Sequence, residues 1–123
     1  MTSDEFEILV RGLGGNVVIR PVLDAVQFHV GGKAIANLNW PVEGWAAIKL
    51  DPRDQTWATA LSPALSCEPG RRRNAGIVLA RLAKLEADVA AELLAAAWRH
   101  AQSRLAPAAR RSAFALEAAV RAA

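Results

Sequence analysis

The chain is poor in the residues that most often carry redox, metal or membrane chemistry. A single cysteine, Cys67, excludes an internal disulfide and a thiolate-rich metal site. The only two histidines, His29 and His100, leave little from which to build a general base or an imidazole metal site, so neither a metal nor another cofactor is expected. No stretch approaches the roughly 20 apolar residues that a membrane span requires, and no membrane partner is expected. The first dozen residues carry Asp4, Glu5 and Glu7 where a secretion leader has a basic start and a greasy run. No leader is therefore expected, and a cytoplasmic setting is. A phosphate-cradling loop is missing too. Gly12, Gly14 and Gly15 follow a helical pattern instead of joining strand to helix, and no Lys-Ser or Lys-Thr pair succeeds them.

What remains is enough for a folded domain. The 123 residues suit one domain. A globule of this size hides about two-thirds of the surface of its extended chain. Apolar residues make up 53% and charged residues 22%, a balance that argues against disorder along the whole length. Alanine supplies 27 of the apolar positions, which lowers the core-forming bulk and favours helix. Fifteen bases face twelve acids, for a net charge of +3. All the bases except Lys33, Lys49 and Lys84 are arginine. The position of charge says more than its modest sum. Arg71, Arg72 and Arg73 form the one local run, and Arg110 and Arg111 a pair near the end, while the acids are spread evenly.

Hydrophobic spacing divides the chain. Thr2 and Glu5 stand at capping-box spacing. Phe6, Leu9, Val10 and Leu13 then recur three or four apart, which predicts a short amphipathic helix ended by glycines. Val17, Val18 and Ile19 suit a strand or an extended entry that Pro21 interrupts. Ala25 to Val30 alternates, with Val26, Phe28 and Val30 on one face and Gln27 and His29 on the other. Gly31 and Gly32 make a tight turn into a second alternating run. There Ala34, Ala36, Leu38 and Trp40 share the inner side, and Lys33, Ile35, Asn37 and Asn39 look away. Trp45 to Leu50 is the third strand of this meander, Ala46, Ile48 and Leu50 inward and Lys49 outward.

Asp51 before Pro52 predicts a capped helix to about Leu61 that buries Trp57. Leu65 to Glu68 is ambiguous, and Arg71 to Gly76 reads as an exposed basic loop. Ile77 to Leu82 is β-like, with Val78, Ala80 and Leu82 on one face and Arg81 on the other. A long helix follows from about Glu86 to Arg104. Its acids come early and its bases late, which suits the helix dipole. Pro107 opens an alanine-rich piece to about Val120. The expected fold is α+β: an antiparallel sheet of about five strands, an N-terminal helix, one inserted helix and C-terminal helices. Residues 1–106 form the single domain and 107–123 its helical extension.

The middle of the chain resembles the MmcQ/YjbR-like family. Phe28-His29-Val30-Gly31-Gly32-Lys33-Ala34-Ile35-Ala36 is similar to that family's hairpin, and Gly44-Trp45-Ala46-Ala47-Ile48-Lys49-Leu50 to its next strand. Pro69-Gly70-Arg71-Arg72-Arg73 stands where such proteins carry a glycine-, tryptophan- and arginine-containing loop. Val78-Leu79-Ala80-Arg81-Leu82 resembles the last strand, and Glu92-Leu93-Leu94-Ala95-Ala96-Ala97-Trp98-Arg99 the final helix. The likeness spans about residues 1 to 105. It implies the same α+β layout, related to secretion-chaperone-like and frataxin-like folds. The family's members are small bacterial cytoplasmic proteins, largely uncharacterised and often labelled as DNA-binding proteins of a double-wing type. Two features depart from the pattern. Pro21 to Ala25 replaces a histidine- and glycine-containing lead into the hairpin, and Asn74 and Ala75 stand where the loop tryptophan is usual.

The cations suggest a function. Lys33 at a hairpin tip, the run Arg71, Arg72 and Arg73, and Lys49 are the candidate nucleic-acid-binding residues. They would meet phosphates in a weak, sequence-tolerant manner. Gln27, Asn37 and Asn39 would add polar contacts, and Trp40 or Trp45 a stacking surface. The alternative is a non-catalytic protein-interaction or homodimerisation module that uses the sheet face and terminal helix. Chemistry at Cys67, with a thiolate supported by Arg71 or Arg72, is outweighed by a half-buried structural thiol, because no histidine lies near it in sequence. Asp51 with Asp54 resembles a carboxylate pair, but Asp51 is better explained as a helix cap. No enzyme activity is expected.

Overall fold

The computed structural model describes residues 1–103. The piece expected over 107–123 and the Arg110–Arg111 pair lie outside the described residues.

Helix α1 (Ser3–Arg11) starts at the expected capping box. Thr2 Oγ1 accepts from the Glu5 amide at 3.1 Å, and the Glu5 carboxylate accepts from the Thr2 amide at 3.0 Å. These bonds hold the Glu5 carboxyl below its ordinary range. Six strands follow in an open sheet. They are β1 (Val17–Val22), β2 (Ala25–Val30), β3 (Lys33–Leu38), β4 (Trp45–Lys49), β5 (Leu65–Cys67) and β6 (Ile77–Arg81). The spatial order is β1-β2-β3-β4-β6-β5, and every neighbouring pair is antiparallel. Helix α2 (Gln55–Ala60) is inserted between β4 and β5, and α3 (Ala87–Ser103) closes the described chain. The α+β class and the antiparallel meander are therefore as the patterning predicts.

Four local readings are corrected or completed by the fold. Pro21 does not interrupt β1. The strand runs through it to Val22 and pairs Pro21 with Val26. It can do so because β1 is an edge strand, where a missing N–H is tolerated. A two-residue turn then reverses the chain, with Leu23 at φ 55° and almost fully exposed. The ambiguous Leu65–Cys67 stretch is the other edge strand.

The third correction concerns β3. His29 pairs with Ala34 and Phe28 with Ala36, so Ile35 is an extra residue opposite that step. This bulge breaks strict alternation. Ile35 is fully buried in the core beside Ala36, and Ala34 faces solvent. The fourth concerns α2. Asp51 caps the chain as expected, accepting from the Arg53 amide at 2.9 Å, but a short 3-10 turn over Pro52–Asp54 precedes the helix. That turn rotates the buried side onto Gln55 and Ala58, and Trp57 stays 43% exposed.

The core lies between one sheet face and the three helices. Phe6 and Val10 of α1, Ala58 of α2 and Leu93, Leu94 and Ala97 of α3 cluster with Phe28, Val30, Ile48, Val78 and Ala80. The Phe6 and Phe28 rings meet in a tilted arrangement with centroids 6.4 Å apart. Each fully buried large side chain contributes about 1.5–3 kcal/mol. Gln55 and Gln102 are the buried polar side chains among the described residues, and Gln55 is the one anchored to the sheet and loop. Its amide donates to the Arg73 and Ile77 carbonyls at 3.1 and 3.2 Å, which ties the basic loop to α2. A smaller cluster of Ala47, Ile77 and Leu79, flanked by Trp45 and Ala75, sits on the opposite face.

Gly76 closes the basic loop at φ +93°, and its carbonyl accepts from the Leu50 amide at 2.8 Å. A Cβ there would overlap the Leu50 carbonyl oxygen. Gly44 has a similar φ of +88° but open space around it. Gly76→Ala is therefore expected to cost roughly 3 kcal/mol or more, and Gly44→Ala about 1 kcal/mol. Urea unfolding of the two variants checks this, and equal losses would mean that backbone φ alone sets the cost.

Candidate nucleic-acid interface

The outer sheet face carries a cross-strand row set by register. Arg20 of β1 faces Gln27 of β2, which faces Asn37 of β3, then Ala47 of β4 and Leu79 of β6. On one side of this row Trp45 pairs with Arg81, whose guanidinium lies 5.1 Å from the indole ring centroid. On the other side Lys49 pairs with Ile77. No described helix packs over Gln27 and Asn37.

Two adjoining cavities open on this face. The first, about 270 Å³, is lined by Lys33, Asn37, Trp40, Lys49, Glu68 and Arg72, among others. The second, about 790 Å³, shares Asn37, Trp40 and Arg72 and extends to Leu23, Asp24, Gln27, Asn39, Val42 and Glu43. Together they form one groove from the β2–β3 hairpin end to the β1–β2 and β3–β4 turns.

The structure brings together three of the five sequence-predicted cations. Lys33, Lys49 and Arg72 line the first cavity. Lys49 Nζ donates to the Ala75 carbonyl and thereby fastens the basic loop across the outer face. Arg72 Nε lies 3.7 Å from Glu68 Oε2, with the Arg72 side chain 67% exposed. The Glu68 side chain is only 21% exposed, so the pair is half-buried, and at 3.7 Å it is too long for a hydrogen bond. Arg71 and Arg73 are exposed but do not line the groove. The Arg73 backbone instead serves as an anchor for Gln55.

The polar side chains of the groove differ in what they have left to offer. Gln27 Oε1 is 3.2 Å from His29 Nε2. Asn39, at φ 59°, accepts from the Gly44 amide at 3.3 Å and lies 3.5 Å from Ser3 Oγ. Asn37 Oδ1 is buried and has no hydrogen-bond partner among the described residues, and the same holds for Glu68 Oε2. Trp40, expected on the inner side with Leu38, is instead 49% exposed at the junction of the two cavities, near the exposed Val42 and Leu23, because β3 ends at Leu38 and Asn39 at φ 59° breaks the alternation.

Arg20, Asp24 and Glu43 were not singled out by sequence reasoning. Alternation of Val18, Arg20 and Val22 against Val17 and Ile19 contains the signal for Arg20. Reading Pro21 as a break hid it. Asp24 and Glu43 sit in turns distant in sequence, and only the folded sheet brings them to one cavity.

The other chemistry-bearing residues stand elsewhere. Asp51, Asp54, Arg99, His100 and Ser103 line a separate cavity of about 180 Å³ on the helical side. Asp51 there is engaged by Arg53, whose Nη2 is 2.8 Å away, and the Arg53 bonds hold its carboxyl well below the usual range. Its Oδ2 is also 3.9 Å from His100 Nδ1. Cys67 is half-buried on β5, paired with Val78. Among the described residues no three His, Cys, Asp or Glu side chains gather as metal ligands, and no helix is long and apolar enough to cross a membrane.

No family model matches the chain, and no curated protein is similar to it in sequence. Among solved structures, the fold is similar to that of the Deinococcus radiodurans protein DR2400, described as a DUF419 domain. The TM-score is 0.73 and the identity 16%, over 92% of this chain and 88% of that one. At that identity the likeness shows the fold alone.

His29 gives the outer face a pH dependence. Partial burial, then the neighbouring Arg20 charge, push its pKa below the ordinary 6.5, against a smaller opposing contribution from the Gly32 backbone. The unfolded chain therefore takes up the proton first as pH falls, and stability drops below about pH 6.5. His29→Gln is expected to lose less melting temperature than wild type between about pH 7.5 and pH 5.5. Thermal melts at the two pH values check this, and parallel losses would refute it.

Proposed function

We propose that this is a cytoplasmic MmcQ/YjbR-like domain that binds nucleic acid weakly and with little sequence preference, through the groove on its outer sheet face. The reading is non-catalytic and assigns no cofactor. The observation that carries it is the convergence of Lys33, Lys49 and Arg72 on one cavity beside a half-exposed Trp40. Phosphates neutralised by these cations release counterions, and an indole beside them gives a base a surface on which to stack.

The groove favours a single strand over a duplex. Of the described helices, α1, α2 and α3 all bury a face in the core. A base must leave its stack to reach Trp40 and Asn37, and an unpaired strand has already done so. Lys33, Lys49 and Arg72 carry this reading. Arg71 and Arg73 contribute only the long-range field of the loop.

The test is fluorescence anisotropy of a labelled single-stranded oligonucleotide at several salt concentrations. Lys33→Ala and Arg72→Ala should each lower the salt slope by about 0.7. Trp40→Ala should weaken binding by about 1–3 kcal/mol. Arg71→Ala should change binding less than Arg72→Ala. A double Lys33→Ala, Arg72→Ala variant that binds like wild type overturns the reading. So does a protein that binds no oligonucleotide at low salt but sediments as a dimer that Trp40→Ala splits. That result would return the groove to the alternative, a homodimer or protein-interaction face.

A further inference from the structure

We infer that the wider end of the groove selects bases that carry an amino group, cytosine over uracil being the simplest case. The inference rests on the nucleic-acid reading above and adds a specificity to it. Its basis is the chemical asymmetry of the two adjoining cavities. The narrow end holds Lys33, Lys49 and Arg72 against the single acid Glu68. The wide end holds Asp24 and Glu43 with Arg72 as its one cation. A phosphate is attracted to the first and repelled by the second. A neutral base that donates hydrogen bonds suits the second.

The side chains at the junction sharpen the choice. Of the three amides in the wide cavity, Gln27 turns its oxygen to His29 and Asn39 turns its own to Gly44. Asn37 alone keeps a buried oxygen with no partner among the described residues. Burying an acceptor without a donor costs free energy that a ligand donor recovers on binding. Trp40 lines both cavities, so a base stacked on its indole has an edge within the cavity that Asn37 also lines. Cytosine N4 and adenine N6 present an amino donor on that edge. Uracil and thymine present a carbonyl oxygen at the matching position, which would leave the Asn37 oxygen facing another acceptor. A site built to accept a hydrogen bond discriminates against the ligand that lacks the donor.

The test compares oligo(dC) and oligo(dU) of equal length on the unaltered protein, by competition against a labelled strand at low salt. Oligo(dC) is expected to bind about fivefold more tightly or better. Asn37→Ala is expected to erase that ratio, chiefly by weakening oligo(dC) binding. If both strands bind the unaltered protein equally, the base selection is overturned and the parent reading stands. If neither binds, the parent reading itself fails. If Asn37→Ala keeps the wild-type ratio, selection by Asn37 is overturned.

Discussion

The sheet has two faces, and every described helix is spent on one of them. That one-sidedness governs the rest of the molecule. Phe28, Val30, Ile48, Val78 and Ala80 can pack without water because α1, α2 and α3 supply partners from above. Of the described residues, the reverse side receives a small apolar cluster and the loop that leads into β6. Gln27 and Asn37 lie beyond that cluster, toward β1, where no described helix reaches. Antiparallel sheets tolerate such a half-solvated state, because alternation lets each strand be apolar on one side and polar on the other.

The loop that carries the arginine run is held at several points. Gln55 grips it from α2, Lys49 reaches its Ala75 carbonyl from β4, and Gly76 admits the close approach of Leu50. These anchors bring Arg72 over the sheet and leave Arg71 and Arg73 outside the groove. A run of three like residues thus separates into one groove residue and two peripheral ones. The distinction comes from backbone anchoring and not from the charge of the residues, which is the same for all three.

The groove also shows why polar residues of one type are not equivalent. Gln27, Asn37 and Asn39 all bear amides near the same cavity, yet two of the three are committed to protein partners. Asn39 is held by the turn that ends β3, where its positive φ brings its oxygen to the Gly44 amide. Gln27 meets His29, its same-face neighbour two residues along β2. Asn37 has Gln27 and Ala47 across from it, and neither satisfies its oxygen.

Local pattern alone was enough for the capping box of α1, the two-glycine hairpin, the alternation of β2 and β4 and the α+β class. Each depends on residues close in sequence whose spacing has one geometric solution. The same pattern also put Lys49 and Asn37 on the outer face correctly. Where it misled, a long-range partner decided. Ile35 enters the core because a bulge against Phe28 and His29 shifts the count by one. Pro21 stays in a strand because no described strand pairs on its far side. Trp57 stays out because Gln55 must reach two carbonyls on the loop and sheet. Spacing along the chain therefore determined which segments are helix and strand. Only the tertiary structure decided which of Lys33, Lys49, Arg71, Arg72 and Arg73 meet, because a groove is formed by strands and loops whose distance in sequence says nothing of their distance in space.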